Sequence, residues 1–347
     1  KKFIPSIANI IGTDLSTYRI DHPGNFAFCP VTSRNGDKIT VARYRGEEDC
    51  IISQAYIPFR VIDEQKLDPE YLMMWFMRPE FDRYARFHSH GSVRELFSWE
   101  ELCNVIIPIP DDIDKQHKIV EEYQSLELRI LSNDRQIVSL EDTIQSIYRH
   151  TFVDNIDYNN LPLGWTKTTV GEKCKTVLGG TPSRDIEEYW GGTISWINSG
   201  EVNKLRIIEP SEYITEDGLK HSATKMLPIH TVILAITGAT LGQISITEIE
   251  TCANQSVIGI ENNEDVPYEY VYPHVKHQMK EILRNQTGGA QPHINKNDVD
   301  SITLFLPSSK EMKDYHKKVK TLFDYISVLY FENQKLKKIQ QLLTSKM

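Results

Sequence analysis

The sequence lacks every catalytic signature that we searched for. Its 347 residues contain no P-loop, no GxSxG elbow, no HExxH pair, and no Asn-Pro-Pro-Tyr or Asp-Pro-Pro-Tyr loop of the amino-methyltransferase kind. The glycine pairs Gly191-Gly192 and Gly288-Gly289 do not have the GxGxxG spacing of a cofactor-binding loop. These absences argue against hydrolase, NTPase or methyltransferase chemistry carried by this chain.

Cysteine is scarce, and long apolar runs are missing. The cysteines are odd in number and include no CxxC pair, which argues against a zinc site and against a disulfide framework: Cys29, Cys50, Cys103, Cys174 and Cys252. Reduced thiols in a cytoplasmic protein explain them most simply. The longest apolar runs, such as residues 231–236, are far too short to span a bilayer, so we expect no membrane partner.

Positive charge is also in deficit. The chain has 39 Lys and Arg residues against 48 Asp and Glu, a net charge of −9. Because contacts with DNA phosphates need cations, this balance argues against a lone, tight, nonspecific DNA binder. It argues less against a protein that shares its DNA contacts with a partner. The opening residues 1–5 are not a signal peptide and resemble the inside of a domain, so we expect the natural chain to begin upstream.

What the sequence does contain is an internal repeat. Two long helical segments each follow a predicted proline-containing strand, at residues 105–110 and 302–307. Upstream, residues 26–33 resemble 231–238, and Ser53-Gln54-Ala55 resembles Asn254-Gln255-Ser256. Any two β-rich segments share some apolar alternation. The ordered series of matches, which ends in two helices of similar length, nevertheless favours a duplication.

Both helical segments place apolar residues at three- and four-residue spacing. The second helix has Val319, Leu322, Ile326, Leu329, Asn333, Leu336 and Leu343, and the first has Val120, Tyr123, Ile130, Ile137 and Ile144. An ordinary amphipathic helix explains either one alone. Together they predict a coiled coil, with Asn333 and Asp134 as polar residues on the seam. His117 and His316 take equivalent places near the helix starts, where helix-end packing or capping is a better interpretation than catalysis.

We therefore predict an α+β fold with a pseudo-two-fold internal repeat. Two mixed α/β domains would be separated by two long antiparallel helices that form a coiled-coil spacer about 50 Å long. The first domain would span residues 1–110 with a truncated N-terminus, the first helix 111–152, the second domain 161–307 and the second helix 308–347. Because a turn of B-DNA measures about 34 Å, such a spacer would suit two half-sites separated by a nonspecific gap.

Loops rich in small polar residues recur at matching places in the two halves. Their hydroxyl, amide, imidazole and guanidinium groups can contact DNA phosphates and base edges. The candidate DNA-binding residues of the first half are Thr32, Ser33, Arg34, Asn35, Gln54, His90, Ser92 and Arg94. Those of the second half are Thr181, Ser183, Arg184, Asn198, Ser199, Thr237, Thr240, Gln255, Gln291 and His293. Each loop alone is equally typical of a solvated β-turn, and it is the recurrence that favours a binding role.

The ordered motifs resemble those of the specificity subunits of type I restriction-modification systems. The second half carries Leu-Pro-Leu-Gly-Trp at 161–165, Gly-Gly-Thr-Pro at 179–182, Tyr189-Trp190, Ile-Ser-Trp-Ile-Asn-Ser-Gly at 194–200, Thr-Gly-Ala-Thr at 237–240, Asn-Gln-Ser at 254–256 and Pro-His-Ile at 292–294. The first half resembles a different recognition-domain subtype through Lys-Phe-Ile-Pro at 2–5, Arg-Pro-Glu-Phe-Asp-Arg-Tyr at 78–84 and His-Gly-Ser at 90–92. It departs from that subtype at its opening strands, which leaves the fold of residues 1–20 open.

The resemblance implies a noncatalytic subunit. Each target recognition domain would read one half of a bipartite, asymmetric site in double-stranded DNA, and the helices would dock two methyltransferase subunits. The chain itself would bind no cofactor and no metal. S-adenosylmethionine, for adenine N6 methylation of a flipped base, would be used by those partner subunits, and ATP and Mg²⁺ would be used in cleavage by the restriction motor subunits that join the complex.

Two other interpretations remain open at this stage. The chain could be the specificity portion of a fused methyltransferase-specificity polypeptide whose catalytic part precedes Lys1. It could also be a scaffold whose domains bind protein instead of DNA.

Overall fold

A computed structural model describes residues 1, 3–4, 12, 14–32, 38–91, 95–285 and 293–347, with the backbone alone at 280 and 285. The chain forms two compact units. Unit 1 consists of Lys1–Leu131 and Gln334–Met347, and unit 2 of Ser132–Asn333. Both long helices therefore contribute residues to both units. Within the described ranges, no helix combines the length and the hydropathy that crossing a membrane requires.

Unit 1 is built from short antiparallel strands followed by helices. Its strands are β1 (Arg19–Asp21), β2 (Phe26–Cys29), β3 (Thr40–Arg43), β4 (Cys50–Ile52) and β5 (Ile57–Phe59), and its helices are α1 (Pro69–Phe76), α2 (Pro79–Phe87), α3 (Trp99–Cys103) and the first part of α4 (Ile113–Phe152). β1 pairs with β4, and β2 lies between β3 and β5. α1 begins where the Asp68 side chain accepts the Tyr71 N–H and Pro69 occupies the first turn, a position that needs no N–H donor.

Aromatic side chains fill the core of unit 1. Phe26 and Phe28 of β2 are fully buried. The Phe26 ring stacks on Phe59 with centroids 4.9 Å apart, and it meets Phe76 edge-on at 6.0 Å. Phe28 meets Phe97 edge-on at 6.3 Å. Because burying one such ring stabilises a fold by about 1.5–3 kcal/mol, these aromatic contacts account for much of the stability of so small a sheet.

Unit 2 contains the larger sheets. Its strands are β6 (Thr166–Thr169), β7 (Lys175–Leu178), β8 (Trp190–Ile197), β9 (Arg206–Ile207), β10 (Glu212–Ile214), β11 (Val232–Ala235), β12 (Ile244–Thr247), β13 (Cys252–Ala253), β14 (Val257–Glu261) and β15 (Thr303–Leu306). Its helices are α5 (Val170–Lys173), α6 (Glu216–Lys220), α7 (Tyr268–Asn285), α8 (Lys296–Asp300) and most of α9 (Ser309–Ser345). A five-stranded sheet has the order β7-β14-β11-β12-β9, a three-stranded sheet the order β10-β8-β13, and β15 pairs with β6.

The central strand of the five-stranded sheet has two buried faces. Val232 and Leu234 of β11 belong to the cluster that includes α7 and parts of both long helices. Ile233 and Ala235 belong to a second cluster on the opposite face. All four residues are inaccessible to solvent. A strand covered on both faces is expected to be continuously apolar, as this one is.

The two predicted long helices are present, and within unit 2 they run antiparallel. Asn133 Nδ2 donates to Asn333 Oδ1 at 2.9 Å, whereas Gln136, three residues further along α4, accepts from Tyr325 at 3.0 Å. Asn333 Nδ2 also donates to Asp134 at 2.8 Å, so the two residues that the sequence places on the seam do meet. Asn133, which the sequence analysis did not single out, is the fully buried member of this group.

One predicted strand is wrong. Residues 105–110 form no strand in the part of unit 1 that the structure describes. Their counterpart β15 pairs with β6 along four residue positions and ends before Pro307. Pro108 and Pro110 lack N–H donors inside the first segment, and the described residues offer it no equivalent of β6. Apolar character therefore predicted a strand for which the described residues supply no pairing partner.

Candidate nucleic-acid interface

The predicted contact residues fall into two groups. Ser33, Arg34, Asn35, Ser92, Arg94 and Gln291 lie outside the described residues and remain predictions. The remaining twelve lie in segments that the structure describes.

The strand register of unit 2 brings its candidate loops to one edge of the five-stranded sheet. β7 and β11 both run antiparallel to β14. The Gly179 N–H donates to the Val257 carbonyl at 3.0 Å, and Ala235 is the register partner of Val257. The ends of β7 and β11 therefore meet the start of β14. We call the surface formed by residues 179–184, 198–199, 237–243, 254–256 and 293 the loop edge.

Two backbone hydrogen bonds attach the other segments to the loop edge. The Asn254 N–H donates to the Ile197 carbonyl at 3.0 Å, which places the end of β8 beside the 254–256 turn. The Ile294 N–H donates to the Ile236 carbonyl at 3.0 Å, which places the exposed His293 next to the 237–240 turn. Segments that lie far apart in sequence thus form one surface.

Thr181 and Gln255 are in direct contact, since the Thr181 hydroxyl donates to the Gln255 side-chain oxygen. The chain reaches this position through two glycines at which no side chain would fit. A Cβ on Gly179 would lie 2.1 Å from the Asn254 carbonyl oxygen, and a Cβ on Gly180 would lie 2.5 Å from the Thr224 nitrogen. The Gly179-Gly180 pair is therefore required by close backbone packing beside the loop.

Arg184 is the cation of the loop edge that the fold holds most closely. Its Nη1 and Nη2 atoms donate to the two Glu212 carboxylate oxygens at 2.6 and 2.7 Å. Its Cζ lies 3.5 Å from the centroid of the Trp190 ring, and the Trp190 indole N–H donates to the Ser183 carbonyl at 3.0 Å. The hydrogen bonds from Arg184 hold the pKa of Glu212 below its usual range. The Arg184 side chain is still 53% exposed.

Asn198 is engaged within the fold. Its Oδ1 accepts the Gly200 N–H at 2.7 Å, and its Nδ2 donates to the Ser211 hydroxyl at 3.2 Å. It is the N-cap of the short 3₁₀ turn that Ser199 begins. In the neighbouring turn, Thr237 precedes the 3₁₀ turn Gly238–Thr240 without making a side-chain cap, and Thr237 and Thr240 are both half-buried.

The candidates of unit 1 also collect at one end of a sheet. β2 is antiparallel to β5, with Phe28 opposite Ile57, so the turn that contains the exposed Gln54 lies near the end of β2. Thr32 follows β2, but it is only 4% exposed, and its hydroxyl lies 3.0 Å from both the Glu95 carbonyl and the Ser89 hydroxyl. This buried hydroxyl serves the fold and is not presented to solvent.

His90 lies beside Thr32 and is far more accessible. Its backbone forms an isolated bridge with Leu96. Its side chain is 76% exposed, with Nε2 3.2 Å from a Glu101 carboxylate oxygen. Of the described candidates in unit 1, His90 and Gln54 therefore present polar atoms to solvent.

The histidines at the helix starts pack against acidic residues. His117 lies 3.6 Å from the Asp68 carboxylate in unit 1, and His316 lies 3.4 Å from the Glu269 carboxylate in unit 2. These contacts agree with a helix-end packing role. Across the described ranges, no group of three or more His, Cys, Asp or Glu side chains is arranged to hold a metal ion.

Sequence reasoning missed Glu212 and Trp190, the two partners of Arg184. Trp190 belongs to one of the motifs that carried the resemblance, and this was a usable signal. Glu212 had none, because its contact with Arg184 joins positions 28 residues apart.

Comparisons with known proteins identify the family of the chain. A family profile described as the type I restriction modification DNA specificity domain matches residues 162–341, more than half of the chain. The specificity subunit of the Escherichia coli type I restriction enzyme EcoR124I/EcoR124II is 23% identical over 213 residues, covering 60% of this chain and 52% of that protein. The specificity subunit of the type I restriction enzyme MjaIX of Methanocaldococcus jannaschii is 28% identical over 184 residues, covering 52% of this chain and 41% of that protein.

The chain thus spans about half the length, or less, of these curated relatives. Among solved structures, the S subunit of a type I restriction-modification system from M. genitalium matches with a TM-score of 0.56 at 15% identity. That match covers 94% of this chain and 83% of the other. At this level of identity the likeness shows a shared fold.

Proposed function

Because the chain belongs to the type I restriction-modification DNA specificity family, we propose that it is a noncatalytic subunit that selects a bipartite, asymmetric site in double-stranded DNA. The observation that carries this proposal is the loop edge of unit 2, where five separate segments present hydroxyl, amide, imidazole and guanidinium groups side by side. Such groups read base edges and phosphates, and no single turn would need so many of them at one edge. Among its described residues, unit 1 presents a different set of polar groups, those of Gln54 and His90, so the two half-sites would differ in sequence.

We propose further that the long helices set the gap between the half-sites and dock two methyltransferase subunits. A continuous α4 of 40 residues and its hydrogen-bonded pairing with α9 in unit 2 support a rigid element. The partners would use S-adenosylmethionine to methylate adenine at N6, and restriction motor subunits would use ATP and Mg²⁺. A net charge of −9 suits this division, because partners that surround the DNA would supply much of the neutralising charge.

Footprinting tests the proposal. The chain is purified in complex with its methyltransferase subunits and used to select duplexes from a randomised library, and the bound duplexes are then footprinted. We expect two protected tracts separated by an unread gap. The methyltransferase subunits alone are the control and should select no motif. A single contiguous footprint, or no selected motif, would contradict the proposal.

A further inference from the structure

The loop that carries Arg184 is fixed at both ends by indole groups. The Trp196 N–H donates to the Gly180 carbonyl at 3.1 Å, and the Trp190 N–H donates to the Ser183 carbonyl at 3.0 Å. The Gly180 N–H donates in turn to the Ala253 carbonyl at 2.8 Å. A loop held in this way loses little conformational entropy on binding, which favours both affinity and selectivity.

The guanidinium of Arg184 is held on one edge and on one face. Glu212 occupies the terminal pair Nη1 and Nη2, and the Trp190 ring covers a face at 3.5 Å from Cζ. Among the described residues, no hydrogen-bond partner is found for Nε. The lateral edge of the guanidinium, which consists of the Nε–H and the second N–H of Nη2, therefore remains as a parallel pair of donors.

Two neighbouring acceptors would satisfy that lateral pair, and DNA offers them in two places. They are the O6 and N7 atoms of guanine in the major groove, and the oxygens of a phosphate. The charge of the Glu212 carboxylate favours guanine over phosphate. It would repel a phosphate placed against the same guanidinium, whereas the edge of guanine carries no net charge. Adenine presents an amino donor beside N7 and cannot accept both hydrogen bonds.

We propose that Arg184 reads a guanine in the half-site bound by unit 2, and that Glu212 and Trp190 are the positioning residues that aim it. This inference rests on the proposed function. It adds one base to the expected target and assigns a role to Glu212 and Trp190, neither of which was among the predicted contact residues. It also explains why an exposed arginine at a DNA-reading edge is paired with an acid.

The experiment compares the motifs that variants of the complex select from the randomised duplex library. Arg184→Lys retains the charge but loses the planar pair of donors that Glu212 and Trp190 hold in place. We expect it to lose a guanine preference on the order of ten- to a hundred-fold at one position of one half-site, as for a bidentate contact. The other half-site serves as the internal control. Glu212→Gln should weaken the same preference and leave every other position unchanged.

A charge exchange distinguishes recognition of guanine by Arg184 from an ion pair that only stabilises the fold. Arg184→Glu combined with Glu212→Arg restores the pair but moves the guanidinium. If the pair is only structural, the exchange rescues recognition. If Arg184 reads guanine, the exchange retains the thermal stability and does not restore the preference. The matched control is the exchange of Lys175 and Glu261, a pair at 2.7 Å whose lysine is exposed, at the other end of the β7–β14 pairing, and it should leave the selected motif unchanged.

A probe in the DNA requires no variant at all. Replacing the guanine at the identified position with 7-deazaguanine removes N7 and should weaken binding by the wild-type complex but not by Arg184→Lys. An Arg184→Gln variant removes the cation: if it loses affinity equally on every sequence and shows a shallower salt dependence, Arg184 contacts a phosphate and the guanine assignment is overturned. Unchanged motifs in all variants would also overturn it. If the wild-type complex selects no motif, the proposed function fails instead, so the two failures are distinguishable.

Discussion

A buried histidine links three elements of unit 2 and determines how that unit responds to acid. His274 Nδ1 lies 2.7 Å from the Tyr148 hydroxyl of α4, and its Nε2 lies 2.7 Å from the Thr303 carbonyl of β15. Gln278 donates to the same carbonyl at 2.9 Å. Burial, together with the neighbouring His277, lowers the pKa of His274 to about 4. The neutral ring therefore accepts from Tyr148 on one side and donates to Thr303 on the other.

This arrangement predicts a loss of stability in mild acid. In the unfolded chain His274 would titrate near pH 6.5, about its ordinary value. Between about pH 6.5 and pH 4 the unfolded state binds a proton that the folded state excludes, so stability falls as the pH falls. The full effect is about 3 kcal/mol for a shift of this size. Denaturant unfolding of wild type and His274→Gln at several pH values measures it, and equal pH slopes in that window would contradict the assignment.

A second buried polar group connects α9 to the sheet. Arg206 Nε lies 2.8 Å from Glu248, and the side chains are 0% and 7% exposed. The Ser327 hydroxyl of α9 donates to the same carboxylate at 2.6 Å. Although burial raises the pKa of Glu248, hydrogen bonds from His230 and Ser327 and the charge of Arg206 bring it below the ordinary range.

Removing one partner of this buried pair should be costly. Arg206→Met leaves the Glu248 charge buried without its cation, and we expect a loss of about 3–5 kcal/mol in the unfolding free energy. Lys320→Ala breaks the exposed pair with Asp324, for which a loss of less than about 1 kcal/mol is expected. Urea denaturation of the three proteins compares the two losses. Equal losses would show that burial of the Arg206 pair has no energetic consequence.

At the scale of elements, the polar contact between the long helices fixes their register in unit 2. Asn133 and Asn333 are 0% and 5% exposed, and Asn133 also donates to Glu332 at 3.0 Å. A polar layer in an apolar seam lowers stability but penalises every shifted alignment, since a shift would leave buried amides unpaired.

A double-mutant cycle tests this role. Asn333→Leu alone leaves the Asn133 amide without one of its partners and should destabilise the helix pair by about 1–3 kcal/mol. Adding Asn133→Leu should recover most of that loss, because both amides are then replaced by apolar groups. The free energy of unfolding is measured for all four proteins. Purely additive losses would mean that the two asparagines do not act together.

The elements also show what local sequence could and could not predict. Apolar spacing predicted α4, α9 and β15, because burying an apolar stripe or face largely determines where such elements form. It placed Asp134 on the seam and overlooked Asn133, since a heptad frame drifts from the 3.6-residue helical period over a long helix. Apolar spacing also predicted a strand at 105–110, and this prediction was wrong. Strand pairing depends on distant segments, which a local pattern does not contain.

For the candidate site, the sequence predicted the polar loops but not the contacts between them. Gly179-Gly180 and the polar loops were visible as motifs, and the strand register then brought them to one edge. Thr32 had the right residue type in the right loop, but packing buries its hydroxyl. The Arg184–Glu212 pair depends on β10 lying beside β8, which only the fold reveals.

At the scale of the whole molecule, the proposed function requires that the long helices set the length of the gap between the two half-sites. Inserting four residues into α4 after Ile137 should advance the chain by about 6 Å and rotate it by a little more than one turn. We expect the gap between the selected half-sites to change, or binding to be lost. Motif selection with the complex measures this gap, and a matched four-residue insertion in the exposed turn around Asn159 is the control. If the insertion in α4 left the selected half-sites and their gap unchanged, the helices would not set the gap.

If this chain determines which DNA sequence its complex modifies, deleting its gene should change the methylome of the cell. Adenine N6 methylation is mapped in cells that carry the gene, in cells from which it is deleted, and in cells that express Arg184→Lys. We predict one bipartite methylated motif that disappears on deletion and that relaxes at one guanine in the variant. An identical methylome in the first two strains would show that the chain does not select the methylated sequence.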